Sequence, residues 1–79
     1  MILTVPIRWT ADRMDQLEHA ARRGLRVALE TRRGTEYIVV ARRVVTGARG
    51  DSLVGLLPMT GEELTFPLVD IATFQVIGL

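Results

Sequence analysis

Apolar residues change their period twice along this chain, and each change marks an element. Leu3, Val5, Ile7 and Trp9 alternate with Ile2, Thr4, Pro6 and Arg8, which is strand spacing. Pro6 has no N–H to give a ladder, so this segment suits an edge strand or an extended arm. From Thr10 the spacing lengthens. Ala11, Met14, Leu17 or Glu18, Ala21 and Leu25 recur every three or four residues, as on one face of a helix. Thr10 suits the N-cap and Asp12 the positive helix end. Arg22 and Arg23 suit the negative end, and Gly24 the left-handed residue beyond it. The pattern predicts a helix over 11–23.

Period two then returns. Leu25, Val27 and Leu29 take one side, and Arg26, Ala28 and Glu30 the other. Arg32-Arg33-Gly34 is turn chemistry, and 36–45 is a strand rich in β-branched residues. A second turn over 47–51 leads to a strand over 53–57, which Pro58 stops. A turn over 59–63, a short strand over 64–66, a single 3₁₀ turn over 67–70 and a last strand over 73–77 complete the chain. The expected fold class is α+β: an N-terminal arm over 1–9, a helix over 10–24, and a five-stranded small β-barrel over 25–79, all in one domain.

The stretches Leu53-Val54-Gly55-Leu56 and Glu63-Leu64-Thr65-Phe66-Pro67-Leu68-Val69-Asp70-Ile71 resemble the core of WYL domains. That core pairs a "WYLVAY"-like strand with a "RTFRLDRI"-like segment. The layout over 10–77 is also similar to Sm-like proteins such as Hfq and the Rho-binding antiterminator Rof, with a helix before the barrel and a final strand after a 3₁₀ turn. The resemblance implies an SH3-like or Sm-like barrel. It also implies nucleic-acid or nucleotide ligands. The chain departs from both patterns. Ser52-Leu53 stands where a WYL domain has Trp-Tyr, and Pro67 and Asp70 stand where it has basic residues. No asparagine follows the third strand as in RNA-binding Sm proteins. No ligand residue is therefore carried over from either family.

Charge adds a second pattern. All ten basic residues are arginine, and all lie between Arg8 and Arg49. Residues 1–50 carry a balance of +5, and residues 51–79, with Asp51, Glu62, Glu63 and Asp70, carry −4. Three Arg pairs, 22-23, 32-33 and 42-43, stand ten residues apart. A hairpin turning about Arg33 would oppose residues whose numbers sum to about 66. Leu25, Val27 and Leu29 would then face Ala41, Val39 and Tyr37 on one apolar side. Arg42-Arg43 would fall beside Arg23-Gly24, with Arg32-Arg33 about 23 Å away at the other end. Neighbours on a strand point to opposite faces, so only one of Arg42 and Arg43 is expected in a shared patch. The candidate anion or nucleic-acid site is thus Arg22, Arg23, Arg26, Arg42 and Arg43, with Trp9 and Tyr37 as rings for base stacking. Two plainer readings compete: solvation of turns and a helix end, or pairing with the acidic half within or between subunits. Nucleic-acid binders usually carry more than this chain's net +1.

Catalytic chemistry has little material. His19 is the sole histidine, flanked at helical spacing by Asp15 and Arg23, and Ser52 is the sole serine. Neither spacing marks a triad, and one His among scattered carboxylates gives no metal-ligand set. Without cysteine there is no disulfide or thiolate site. No catalytic residue, metal or cofactor is expected.

An apolar content of 48% is high for 79 residues, and small domains commonly find stability in assembly. Tyr37, Val39 and Ala41 make one apolar face of the second strand, and Ile38, Val40 and Val44 make the other. A strand apolar on both sides calls for cover on both. The cover expected is the helix or, as the alternative, a neighbouring copy. Leu3, Val5, Ile7, Ile38 and Val40 are the candidate interface residues. The expectation is a homo-oligomer acting as a nucleic-acid-associated or regulatory binding module, with single-stranded RNA as ligand. The alternatives are a protein-interaction module that holds a partner protein through the arm or a sheet edge, and a small anionic-ligand or nucleotide sensor. No apolar run spans a membrane, and MILTVPIRWT lacks signal-peptide architecture, so a cytoplasmic location is expected.

Overall fold

The computed structural model describes residues 8–78. Helix α1 runs Ala11–Arg23, as its caps predict. The Thr10 hydroxyl accepts from the Arg13 N–H at 3.2 Å. At the other end Gly24 adopts φ 64. The N–H of Leu25 then reaches the Ala20 carbonyl at 2.9 Å, and that of Gly24 the Ala21 carbonyl at 3.4 Å. These two bonds form a Schellman motif and satisfy carbonyls that the helix leaves open. Leu17, Ala20 and Ala21 are the buried stripe.

Five strands follow: β1 (Arg26–Thr31), β2 (Glu36–Gly47), β3 (Gly50–Leu56), β4 (Glu63–Pro67) and β5 (Ile71–Gly78), with a 3₁₀ turn at Leu68–Asp70 before β5. They form one sheet in the order β4-β3-β2-β1-β5, and every pairing is antiparallel. The β1–β2 register matches the expected hairpin. Val27 opposes Val39, Leu29 opposes Tyr37, and the paired numbers sum to 66. The Ala41 N–H donates to the Leu25 carbonyl at 2.9 Å, which extends the pairing to the helix end. The turn between these strands has Gly34 at φ 88. The Gly34 N–H donates to the Thr31 carbonyl and the Thr31 N–H to the Thr35 carbonyl, both at 2.9 Å.

The strands run longer than their apolar periods. β2 reaches Gly47 and β3 begins at Gly50, with only Ala48-Arg49 between them. A straight strand of twelve residues would span about 36 Å. The molecule extends 31 Å along its longest principal axis, which leaves little room for such a strand to run straight. A bulge between Ala41 and Arg43 leaves Arg42 without an opposite residue on β3, and bulges bend strands. Beside it, Gly55 faces Ala41. A Cβ on Gly55 would meet Val39 Cγ2 at 2.8 Å, so glycine lets the two strands approach closely.

The curled sheet and α1 enclose one core. It holds Leu17, Ala20, Val27, Leu29, Val39, Ala41, Leu53, Phe66 and Ile71 among others. Trp9 leads into the helix and ties it to the far end of the chain. Its indole Nε1–H donates to the Leu68 carbonyl at 3.0 Å, and its ring stacks on Phe74 with centroids 5.2 Å apart. Among the described residues the sheet is not closed by hydrogen bonds, and β4 and β5 are its two outer strands. The α+β expectation is met among the described residues, as one helix followed by five antiparallel strands, but the expected closure into a barrel is not shown.

Candidate arginine groove

The helix end and the bulged part of β2 come together as the sequence predicts. Between them runs a groove of about 310 Å³, lined by Glu18 and Arg22 from α1, by Arg42, Arg43 and Thr46 from β2, and by Asp51 from β3. The alternation rule had allowed only one of Arg42 and Arg43 to take part. Both line the groove, because the bulge at Arg42 breaks the two-residue period. Arg23 and Arg26 are also exposed, but neither lines this groove.

The acidic half reaches one of these arginines. Arg43 Nη2 lies 3.6 Å from Glu63 Oε1. Arg43 stands opposite Val54 on β3, and Glu63 opposite Leu56. The bridge therefore crosses β3 to join β2 with β4. Both side chains are more than half exposed, at 56% and 51%, so the pair contributes a few tenths of a kcal/mol to about 1 kcal/mol. Among the described residues no carboxylate pairs with Arg22, Arg23, Arg26 or Arg42.

The two candidate stacking rings have partners within the fold. Trp9 is stacked on Phe74, and Tyr37 meets Phe66 edge-on with centroids 5.0 Å apart and planes at 62°. Both are half-buried. Of the candidate interface residues, Ile38 and Val40 lie on the face of β2 opposite Val39 and Ala41. Ile38 is 51% exposed, and Val40 is half-buried. Leu3, Val5 and Ile7 lie outside the described residues. His19 is exposed on α1 and Ser52 half-buried on β3. Among the described residues no group of three or more His, Cys, Asp or Glu could hold a metal ion, and no helix is long and apolar enough to cross a membrane.

Two features escaped the sequence reading. Glu30 and Glu36 oppose each other directly at the end of the β1–β2 hairpin. That pairing was available from the register sum. The other is Arg32, whose Nε–H is buried without a hydrogen-bond acceptor. Only the packing of the turn could reveal that. No protein-family profile matches this chain, and a search of curated proteins finds no significant match.

Proposed function

We propose that this chain is a non-enzymatic binding module that takes the phosphates of single-stranded RNA along the groove between α1 and β2. One observation carries this reading: Arg22 from the helix meets Arg42 and Arg43 from the bulge along a single concavity. Guanidinium groups match phosphate oxygens in a bidentate fork, and a site that tracks a backbone needs cations along a groove. Arg23 and Arg26 extend the cationic surface beyond it. Glu18 and Asp51 lower the local charge, and Arg43 shares its charge with Glu63. Arg22 and Arg42 therefore carry most of the attraction. The strand order and the curled β2 are compatible with an SH3-like or Sm-like barrel.

The test is a titration of fluorescein-labelled single-stranded RNA at two salt concentrations. Affinity should fall steeply with salt. Arg22→Ala with Arg42→Ala should flatten the slope by about 0.7 for each phosphate no longer neutralised. Binding that ignores salt, or is unchanged in the double variant, removes the groove from the mechanism.

A second reading is assembly through the sheet edges, in which the chain is a homo-oligomer or holds a partner protein. The observations that favour it are that β4 and β5 end the sheet among the described residues, and that Ile38 and Ile77 are exposed. Unpaired strand edges are templates for a further strand. Light scattering should then show a species larger than 8.8 kDa. A monomer at high protein concentration would argue against self-assembly.

A further inference from the structure

The far end of the β1–β2 hairpin, away from the arginine groove, holds a second concavity that the proposed RNA site does not use. The turn after β1 folds against β4 and the 3₁₀ turn. A backbone bond pins it there, from the Arg32 N–H to the Asp70 carbonyl at 2.8 Å. Between these segments lies a groove of about 690 Å³, whose lining includes Arg32, Arg33, Tyr37, Phe66 and Asp70. That size is typical of small-molecule sites, as is a wall of aromatic rings with a few polar groups converging on it.

Arg32 is the unusual member. Its Nε–H is shut off from solvent and has no acceptor, although the residue as a whole is only half-buried. A desolvated donor without a partner is disfavoured. An oxyanion in the groove would let the side chain turn and give Nε–H and a terminal N–H two acceptors at once, in the fork that guanidinium makes with carboxylate or phosphate. Arg33 lies on the same wall and adds a second positive charge. The half-buried ring of Tyr37, braced edge-to-face by the buried Phe66, offers an apolar contact beside the cations. Asp70 in the lining disfavours a ligand that carries more charge than the two arginines can offset.

We infer that this groove is a binding site for a small planar ring bearing one oxyanion, a carboxylate or a phosphate, with Arg32 as the anchoring cation and Tyr37 as the ring contact. It is separate from the RNA-phosphate groove and does not depend on it. The experiment is two-dimensional ¹⁵N–¹H NMR on the whole chain, following the Arg32 Nε–H resonance and the backbone amides of Tyr37 and Phe66. The probes are benzoate and phenyl phosphate, with inorganic phosphate and benzyl alcohol as half-ligands. At least one ring oxyanion should shift these resonances saturably, and whichever binds identifies the anion. Each half-ligand should bind at least tenfold more weakly. Arg32→Ala should weaken binding at least tenfold, Arg32→Lys should recover part of it, and Tyr37→Leu should cost at least fivefold. The inference is overturned if neither ring oxyanion moves Arg32, or if Arg22 and Arg42 shift as much as Arg32. It is equally overturned if a half-ligand binds as well as the whole, or if a folded Arg32→Ala chain binds as tightly as the parent.

Discussion

Replacing Gly55 with alanine tests how tightly the sheet is bent at its centre. The new Cβ would stand 2.8 Å from Val39 Cγ2, 2.9 Å from Val39 Cβ and 3.3 Å from the Val40 carbonyl oxygen. Carbon atoms rest about 3.5–4.0 Å apart, so the two contacts with Val39 are short by roughly 0.6–1.2 Å. Val39 cannot give way easily. It is fully buried, its β-branched side chain is stiff at χ1, and its Cβ moves only with the backbone. Relief requires β2 and β3 to part. Forcing a methyl group into a filled core costs about 1–3 kcal/mol, and a rigid neighbour places this case at about 2–3 kcal/mol. Alanine offsets about 0.4–1 kcal/mol of that by restricting the unfolded chain, since Gly55 is not among the positive-φ glycines. The net loss is about 2 kcal/mol, or roughly 8–16 °C in Tm for a domain of this size. Thermal and urea unfolding, followed by circular dichroism and Trp9 fluorescence, would measure it. In a Val39→Ala background Cγ2 is gone, so the penalty for alanine at 55 should shrink and the two changes should couple. An unchanged or raised Tm, or equal penalties in both backgrounds, would refute the close approach of β2 and β3.

Four further outcomes follow from the same packing. Leu17→Ala empties a fully buried position between helix and sheet and should cost about 2–5 kcal/mol by chemical unfolding. Trp9→Phe keeps a ring against Phe74 but removes the donor to the Leu68 carbonyl, with an expected loss of about 1–2 kcal/mol followed by circular dichroism. A double-mutant cycle on Arg43 and Glu63 should give a coupling of about 0.2–1 kcal/mol that fades with added salt. Glu36→Thr relieves the direct opposition of two carboxylates at Glu30 and Glu36 and should stabilise the chain by about 0.2–1 kcal/mol, seen as a raised Tm.

The elements that were legible in the sequence are those governed by neighbours along the chain. The helix ends where Thr10 and Gly24 place them, because a cap is satisfied within a few residues. The β1–β2 register followed from a three-residue turn and from the requirement that one face be apolar. The same register brought Arg22 toward Arg42, so the arginines of the candidate groove could be placed beforehand but not its other lining residues. Strand lengths were underestimated at β2 and β3, where Thr46-Gly47 and Gly50-Asp51-Ser52 look like parts of a turn. Ladder hydrogen bonds depend on the partner strand and not on side-chain polarity, so the ladder continues through them.

By itself the sequence determined the helix, the order of the strands along the chain, the hairpin register and the separation of basic from acidic halves. All of these rest on short-range stereochemistry or on simple counting. Only the tertiary structure decided how those halves meet. The bulge at Arg42 sets both arginines of that pair into one groove, and Glu63 comes within reach of Arg43 across β3. It also decided that the indole of Trp9 is held by the Leu68 carbonyl, that Gly55 must lack a side chain, and that the Nε–H of Arg32 is left without an acceptor. Each of these joins residues far apart in the chain, and their distances are set by how the sheet curls around its core.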